Sequence, residues 1–115
     1  MAHVADCIFC TIVAGEIPTE LVADDEHVVA FHDLDPQAPL HVLVVPRTHL
    51  ADLAEVARAE PATAAEMIDL AARIAVDAGH DSYRLVANTG AQAGQSVFHA
   101  HLHVLAGRSQ AWPPG

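Results

Sequence analysis

Apolar runs alternate with polar turns along the chain, and their spacing predicts five strands and two helical regions. The strands are runs of β-branched or apolar residues bounded by Pro, Gly or acidic residues. Region 50–78 is Ala-rich with helical spacing, and Pro61 divides it into a short first turn or helix and a long helix that ends at Gly79. A short N-terminal helix is predicted over 6–13, with Asp6 as its N-cap. The predicted strands are 19–23, 28–32, 41–45, 82–87 and 98–105.

Strands in hairpin order, with a helix before the last two, predict an α+β fold. We expect an antiparallel five-stranded sheet with one long helix and one short N-terminal helix, in a single domain over residues 1–115. Some strands are apolar at both alternating positions, which is typical of a sheet with both faces covered. We therefore expect a second subunit to cover or extend the sheet, as in a homodimer.

The charge balance of the chain argues against one class of partner. The formal net charge is −10 with neutral histidines, and the basic residues are five arginines. Such a surface repels a polyanion, so nucleic-acid binding through a basic face is disfavoured. A small phosphorylated ligand remains compatible, because backbone N–H groups, Ser and His bind phosphate locally. Since no apolar run is long enough to cross a bilayer and the first residues lack signal-peptide features, we expect a cytoplasmic protein without a membrane partner.

Three histidines alternate with apolar residues near the C-terminus, at His99, His101 and His103. On the predicted strand they would share one face, while the residues between them would face the core. Imidazole titrates near pH 6.5, so this row suits a nucleophile, an acid, a base or a metal ligand. Three imidazoles can ligate zinc, although side chains two apart on a flat strand rarely converge on one ion. Clustered titratable groups of this kind favour a functional site.

A polar, Gly-rich loop precedes the histidine row and contains Gly94, Gln95 and Ser96. Its backbone N–H groups and the Ser96 hydroxyl can point at an anion, although an ordinary hairpin loop has the same composition. Asn88, at the end of the preceding strand, can reach the same place or simply form a turn. Earlier in the chain, Cys7 and Cys10 form a Cys-x-x-Cys pair. That pair is compatible with half of a zinc site, a redox pair or two small core residues.

The alternation at 99–105 resembles the signature of the histidine triad superfamily of nucleotide hydrolases and transferases. Residues 31–46 resemble the nucleoside-binding stretch of that family. Residues 94–98 and the terminal Trp-Pro-Pro-Gly at 112–115 resemble its Hint-like branch of nucleoside phosphoramidases. The resemblance extends from residue 7 to residue 115. It implies a homodimer in which the C-terminal tail, with Trp112, reaches the active site of the partner subunit.

The resemblance also implies a role for each matching residue. His101 matches the nucleophile, His99 supplies the carbonyl that orients it, and His103 contacts the phosphate or the leaving group. His41 matches a further histidine behind the nucleophile, and Asp33 matches the carboxylate that binds the ribose. The remaining substrate-binding positions are three for phosphate (Asn88, Gln95 and Ser96) and six around the nucleoside (Ile8, Phe9, Ile17, Phe31, His32 and Leu34).

Some bacterial members of the superfamily carry a structural zinc ion, and the resemblance implies Cys7, Cys10, His49 and His99 as its ligands. No metal is implied for catalysis. The implied activity is hydrolysis of purine nucleoside phosphoramidates, such as adenylated amines, through a covalent nucleotidyl-histidine. Hydrolysis of dinucleoside polyphosphates and a role as a nucleotide-binding interaction protein are the alternatives. A redox or zinc-delivery role through the cysteines is a third.

Overall fold

The computed structural model describes residues 6–115. The expectation that the first residues are not a signal peptide concerns a segment that lies largely outside the described residues. Each strand is antiparallel to its neighbours in the order β1-β2-β3-β5-β4, which confirms the predicted α+β fold. The helices are α1 (Ile8–Val13), α2 (Leu53–Ala59) and α3 (Pro61–Asp77), and a 3₁₀ turn covers Ala91–Ala93. The strands are β1 (Leu21–Asp24), β2 (Val28–His32), β3 (Leu40–Pro46), β4 (Tyr83–Val86) and β5 (Leu102–Ala106).

The sheet is covered on both faces within one chain. Helices α2 and α3 pack on one face, where Met67 of α3 and Val44 of β3 are fully buried. Helix α1 lies over the other face, where Phe9 packs with Phe31 and Leu43. The chain itself therefore accounts for the apolar character of both faces of β2 and β3, without a second subunit. No helix within residues 6–115 has the length and apolarity needed to cross a membrane, and the cytoplasmic location stays a prediction.

The predicted helix boundaries are correct at α3 and wrong at the start of α1. Helix α3 begins with Pro61, a residue that suits the first helical position because it has no N–H to satisfy. Cys7, and not Asp6, is the N-cap of α1, because the Cys7 Sγ accepts a hydrogen bond from the backbone N–H of Cys10 at 3.4 Å. The cap therefore places both thiols on the same turn.

The last strand begins at Leu102, which corrects the prediction of a strand over 98–105. The final pair between β3 and β5 joins Val44 to Leu102. Beyond it, the backbone N–H of Ala100 donates to the Leu50 carbonyl at 2.7 Å instead of to the sheet. The three histidines therefore do not form one exposed row. His99 is fully buried, whereas His101 and His103 are half-buried.

Candidate functional site

A cleft of about 740 Å³ opens between α1 and the face of the sheet that α1 covers. One end is apolar, with side chains from α1, β2 and β3, and the other end carries histidines and the polar Gly-rich loop. A purine-sized group at the apolar end would thus lie next to hydrogen-bonding groups at the polar end. The residues around the cleft are Ile8, Phe9, Ile12, Ile17, Pro18, Thr19, Glu20, Phe31, His32, Asp33, Leu34, Leu43, Asn88, Gly94, Ser96, Val97, His101 and His103.

His101 has the geometry of a nucleophile. Its Nδ1 lies 2.8 Å from the carbonyl oxygen of His99. Because a carbonyl oxygen only accepts, Nδ1 carries the hydrogen, and Nε2 of the neutral ring keeps its lone pair. The Phe9 ring contacts the imidazole edge to face, at 5.0 Å between centroids, and so restricts its rotation. His101 thus offers one unprotonated nitrogen in a fixed direction.

His103 complements His101 by keeping a hydrogen where His101 keeps a lone pair. The backbone N–H of Gln37 donates to Nδ1 of His41 at 3.0 Å, so Nε2 carries the hydrogen in neutral His41. That Nε2 lies 2.9 Å from Nδ1 of His103 and donates to it. The hydrogen of neutral His103 is therefore on Nε2. The two cleft histidines thus pair an acceptor with a donor.

The surroundings of His103 keep its ring neutral near pH 7. Burial, followed by the charges that His101 and His41 would carry, lowers its pKa from 6.5 to about 4, against a smaller opposing effect of Asp33. The Asp33 carboxylate has one oxygen 3.4 Å from Nε2 of His41, and the other accepts from the N–H of Asp35 at 2.8 Å. Asp33 is thereby held at the edge of the cleft.

Asp33, His41 and His103 bring three metal-ligand atoms within 4.8 Å of one another, but their protonation does not suit a metal. A ligating imidazole nitrogen needs a free lone pair. Since the amide of Gln37 occupies Nδ1 of His41, the nitrogen that faces this group carries a hydrogen. We therefore interpret the group as a hydrogen-bonded chain that ends at His103.

Cys7, Cys10, His49 and His99 form a second, buried group that does suit a metal. Nε2 of His99 donates to the Pro46 carbonyl at 2.8 Å, so Nδ1 has the free lone pair. Burial also lowers the pKa of His99 to about 4, which keeps the ring neutral. These four residues can hold a metal ion.

The distances between the donor atoms agree with this assignment. Nδ1 of His99 lies 3.4 and 3.5 Å from the thiols of Cys7 and Cys10 and 3.2 Å from Nδ1 of His49, which is itself 3.2 Å from the Cys10 thiol. In a tetrahedral site with Zn–S bonds of ~2.3 Å and Zn–N bonds of ~2.0–2.1 Å, donor atoms are roughly 3.3–3.8 Å apart. The group needs little rearrangement to bind such an ion.

Comparison with known proteins identifies the family. The model of the HIT domain matches residues 14–110. The chain belongs to the HIT domain family. An uncharacterized HIT-like protein of Synechocystis sp. is 44% identical over 111 residues, which are 96% of this chain and 97% of that protein. The purine nucleoside phosphoramidase of Escherichia coli K12 is 40% identical over 105 residues, 90% of this chain and 88% of that enzyme.

Solved structures agree with this assignment. The crystal structure of a HIT family hydrolase from Legionella pneumophila has a TM-score of 0.91 and 41% identity, and the match covers 96% of this chain and 100% of that one. A histidine triad protein from Clostridium difficile has a TM-score of 0.89 and 39% identity, with 96% and 97% covered. The resemblance stated from the sequence is confirmed, and this chain is a HIT family hydrolase.

Two predicted substrate-binding residues of the HIT chain do not line its cleft. Gln95 is buried, and its amide nitrogen donates to the carbonyls of Ala51 and Val97 at 2.6 and 3.1 Å. Its amide oxygen accepts from the N–H of Gly90 at 2.8 Å. Gln95 therefore stabilises the loop through these hydrogen bonds, and its side chain has no free N–H to donate to phosphate. Trp112 is 84% exposed, and its role in a partner's site stays a prediction.

His41 contacts a cleft histidine from outside the cleft. Its Nε2 bonds to His103, and it does not line the cleft, so its expected place behind the nucleophile His101 stays a prediction. Sequence reasoning also missed cleft residues. Leu43 is one of them, although strand register offers a signal, because Leu43 pairs with Phe31 on one side and with His103 on the other. The other missed residues come from α1 and from loops, where no periodicity shows which way a side chain points: Ile12, Pro18, Thr19, Glu20 and Val97.

Proposed function

We propose that this HIT hydrolase converts purine nucleoside phosphoramidates, such as adenylated amines, to the nucleoside monophosphate and the free amine. The observation that carries the proposal is the pair of imidazoles in the cleft. His101 has a lone pair on Nε2 because its Nδ1 donates to His99, and His103 has a hydrogen on Nε2 because its Nδ1 accepts from His41. The name of the E. coli relative, a purine nucleoside phosphoramidase, supports the same activity.

The reaction has two displacements at phosphorus. In the first, the Nε2 lone pair of His101 forms a bond to the α-phosphorus, the P–N bond to the amine breaks, and the leaving nitrogen takes up one proton. His103 is the candidate for passing this proton. In the second, water attacks the nucleotidyl-histidine, the bond between phosphorus and His101 breaks, and the proton that water loses replaces the one taken by the amine.

The rest of the cleft supplies binding groups for a nucleoside monophosphate. We assign the ribose hydroxyls to the Asp33 carboxylate and the purine to the apolar end around Ile8, Ile17 and Phe31. Apolar walls bind either purine with little discrimination, because they offer few hydrogen bonds to the base. Asn88 and Ser96 are the side-chain donors for the non-bridging oxygens, where charge develops during displacement.

The charge of the cleft favours a phosphoramidate over the alternative, a dinucleoside polyphosphate. Among the described residues that line the cleft, none is Lys or Arg, while Glu20 and Asp33 are acidic. A phosphoramidate monoester carries one negative charge, which neutral donors can bind. A chain of phosphates carries several, and enzymes that bind it commonly use Arg, Lys or a metal ion. The negative charge of the cleft thus favours the substrate with fewer negative charges.

Kinetics with two substrates test this assignment. We expect kcat/KM for an adenosine phosphoramidate of a primary amine to exceed that for diadenosine tetraphosphate by at least about 100-fold, a difference of about 2.7 kcal/mol in transition-state stabilisation. A ratio below one would favour the polyphosphate hydrolase. Tight binding of AMP without turnover of either substrate would favour a nucleotide-binding interaction protein.

We also propose that the chain forms a homodimer through the edge of the sheet that β4 forms. Strand β4 is at one end of the sheet and pairs only with β5 in the described residues. Apolar side chains remain exposed on this strand and on α3, with Tyr83 at 38%, Ile68 at 48% and Val76 at 59%. An open edge of this kind can accept a second strand. Sedimentation at micromolar concentration should give about twice the chain mass of 12.1 kDa; a single-chain mass there would reject the dimer.

The metal that we propose for the buried group of Cys7, Cys10, His49 and His99 is zinc. Two thiols and two imidazoles match the donors that zinc prefers in closed structural sites. When bound, the ion would fasten α1 to the segment before β5, and it would supply no chemistry to the cleft. The cysteines then have a structural role, which replaces the redox interpretation.

A further inference from the structure

The turn after β5 is bonded to the loop that precedes β3. Nε of Arg108 donates to the carbonyl oxygen of Gln37 at 2.8 Å. The N–H of the same Gln37 residue donates to Nδ1 of His41 at 3.0 Å. An exposed arginine outside the cleft is thus connected, through one residue of a loop, to the histidine that bonds to His103.

A glycine holds the same turn close to the same loop. Gly107 has φ of +96°, a conformation that glycine adopts readily and other residues rarely do. A Cβ on Gly107 would lie 2.8 Å from the Cβ of Pro39, so no side chain fits between the turn and the loop. The loop is therefore contacted at two points, Gln37 and Pro39, by two consecutive residues of the turn.

We propose that Arg108 is a positioning residue for departure of the leaving group, acting through Gln37 and His41 on His103. The hydrogen bond from Arg108 orients the Gln37 backbone so that its N–H points at His41. That N–H excludes a hydrogen from Nδ1 of His41, which obliges Nε2 of His41 to donate and leaves Nε2 of His103 as a donor in the cleft. The proposal rests on the proposed function for its effect on rate but not for its effect on the tautomers.

Arg108 thus differs from a residue that only stabilises the fold. Without the bond to Gln37, the loop is free to turn its N–H away, and Nδ1 of His41 can then also carry the hydrogen. The Asp33 carboxylate, 3.4 Å from Nε2 of His41, still favours the first tautomer, so we expect a mixture of the two. In the second tautomer, Nε2 of His41 accepts, so Nδ1 of His103 donates and Nε2 of His103 loses its hydrogen. A departing amine, which becomes more basic as the P–N bond breaks, would then lack its donor. A phenolate leaving group needs such a donor much less.

The tautomers are the first measurement. Protein labelled with ¹⁵N-histidine should show a single Nε2–H tautomer for His41 and for His103, and Arg108→Met should show a mixture or fast exchange for both. Arg108→Lys can still donate one hydrogen bond to the carbonyl and should restore the single tautomer. Arg73→Met is the matched control, because it removes the same charge from an exposed ion pair with Asp69 on α3. Unchanged tautomers in Arg108→Met would overturn the proposal.

Leaving-group dependence is the second measurement. For Arg108→Met we expect kcat to fall by about tenfold or more with an alkylamine phosphoramidate of AMP, and by less than about threefold with the p-nitrophenyl ester of AMP. Equal losses on both substrates would show that the loop only places Asp33 and would reject a role at the leaving group. If the wild-type chain hydrolyses neither substrate, the proposed function fails, while the histidine spectra still decide whether Arg108 sets the tautomers.

Discussion

Replacing His101 by Asn is expected to stop turnover while AMP still binds. Under the proposed mechanism, the substitution removes the lone pair that attacks phosphorus, and no other described residue that lines the cleft has an imidazole Nδ1 bonded to a backbone carbonyl in this way. Loss of a covalent nucleophile typically costs at least about 10⁴-fold in kcat. The purine and ribose contacts that we propose lie elsewhere in the cleft, so the dissociation constant for AMP should change by less than about threefold.

The measurement combines steady-state kinetics, calorimetric titration with AMP and acid quenching of the wild-type reaction. A peptide containing nucleotidylated His101 should be recovered from the wild type and not from the variant. His27→Asn is the matched control, because His27 is exposed and lies away from the cleft. More than a tenth of wild-type activity in the His101 variant would reject covalent catalysis at this position.

Replacing Cys10 by Ser is expected to have the second-largest effect, on metal content and on stability. Cys10 is 1% exposed, and its thiol lies against both His49 and His99. Under the proposed zinc site, the donors that remain without that thiolate would bind the ion far more weakly, and the stabilisation that the ion would give the folded state is lost. We expect a loss of at least about 3 kcal/mol, which lowers Tm by roughly 10 °C or more in a domain of this size.

Elemental analysis should find about one zinc per wild-type chain and less than a tenth of that in the Cys10 variant. A strong chelator serves as the matched control, because it should lower the Tm of the wild type to that of the variant and leave the variant unchanged. A structural metal would be excluded if the wild-type chain is purified without zinc and its Tm changes neither with added zinc nor with chelator.

The fold was predictable because most of its elements follow local rules. The limits of β2 match the prediction, and Pro61 marks the first residue of α3. The start of β5 was not predictable, because the alternation around His99 satisfies strand periodicity as well as a true strand does. What ends the pairing is nonlocal: Pro46 has no N–H to donate at the end of β3, and the N–H of Ala100 goes to Leu50.

The candidate site, too, was predictable only in part from the sequence. The motif indicated which residue types lie near the cleft, and the structure brings eleven of the predicted substrate and catalytic residues to its walls. The motif could not indicate which polar groups already have hydrogen-bond partners within the protein. Gln95 has the right chemistry for phosphate, yet both N–H groups of its amide already donate to backbone carbonyls. The bond between His41 and His103 likewise depends on two strands that are 62 residues apart in the sequence.

The absence of Lys and Arg among the described residues that line the cleft also affects the release of the product. Under the proposed reaction, a phosphoramidate monoanion enters and AMP, close to a dianion at neutral pH, leaves. Glu20 and Asp33 repel the second charge more than the first, and no fixed cation offsets it. The cleft should therefore bind the product AMP more weakly than the substrate. AMP should inhibit weakly, and its dissociation should not limit the rate.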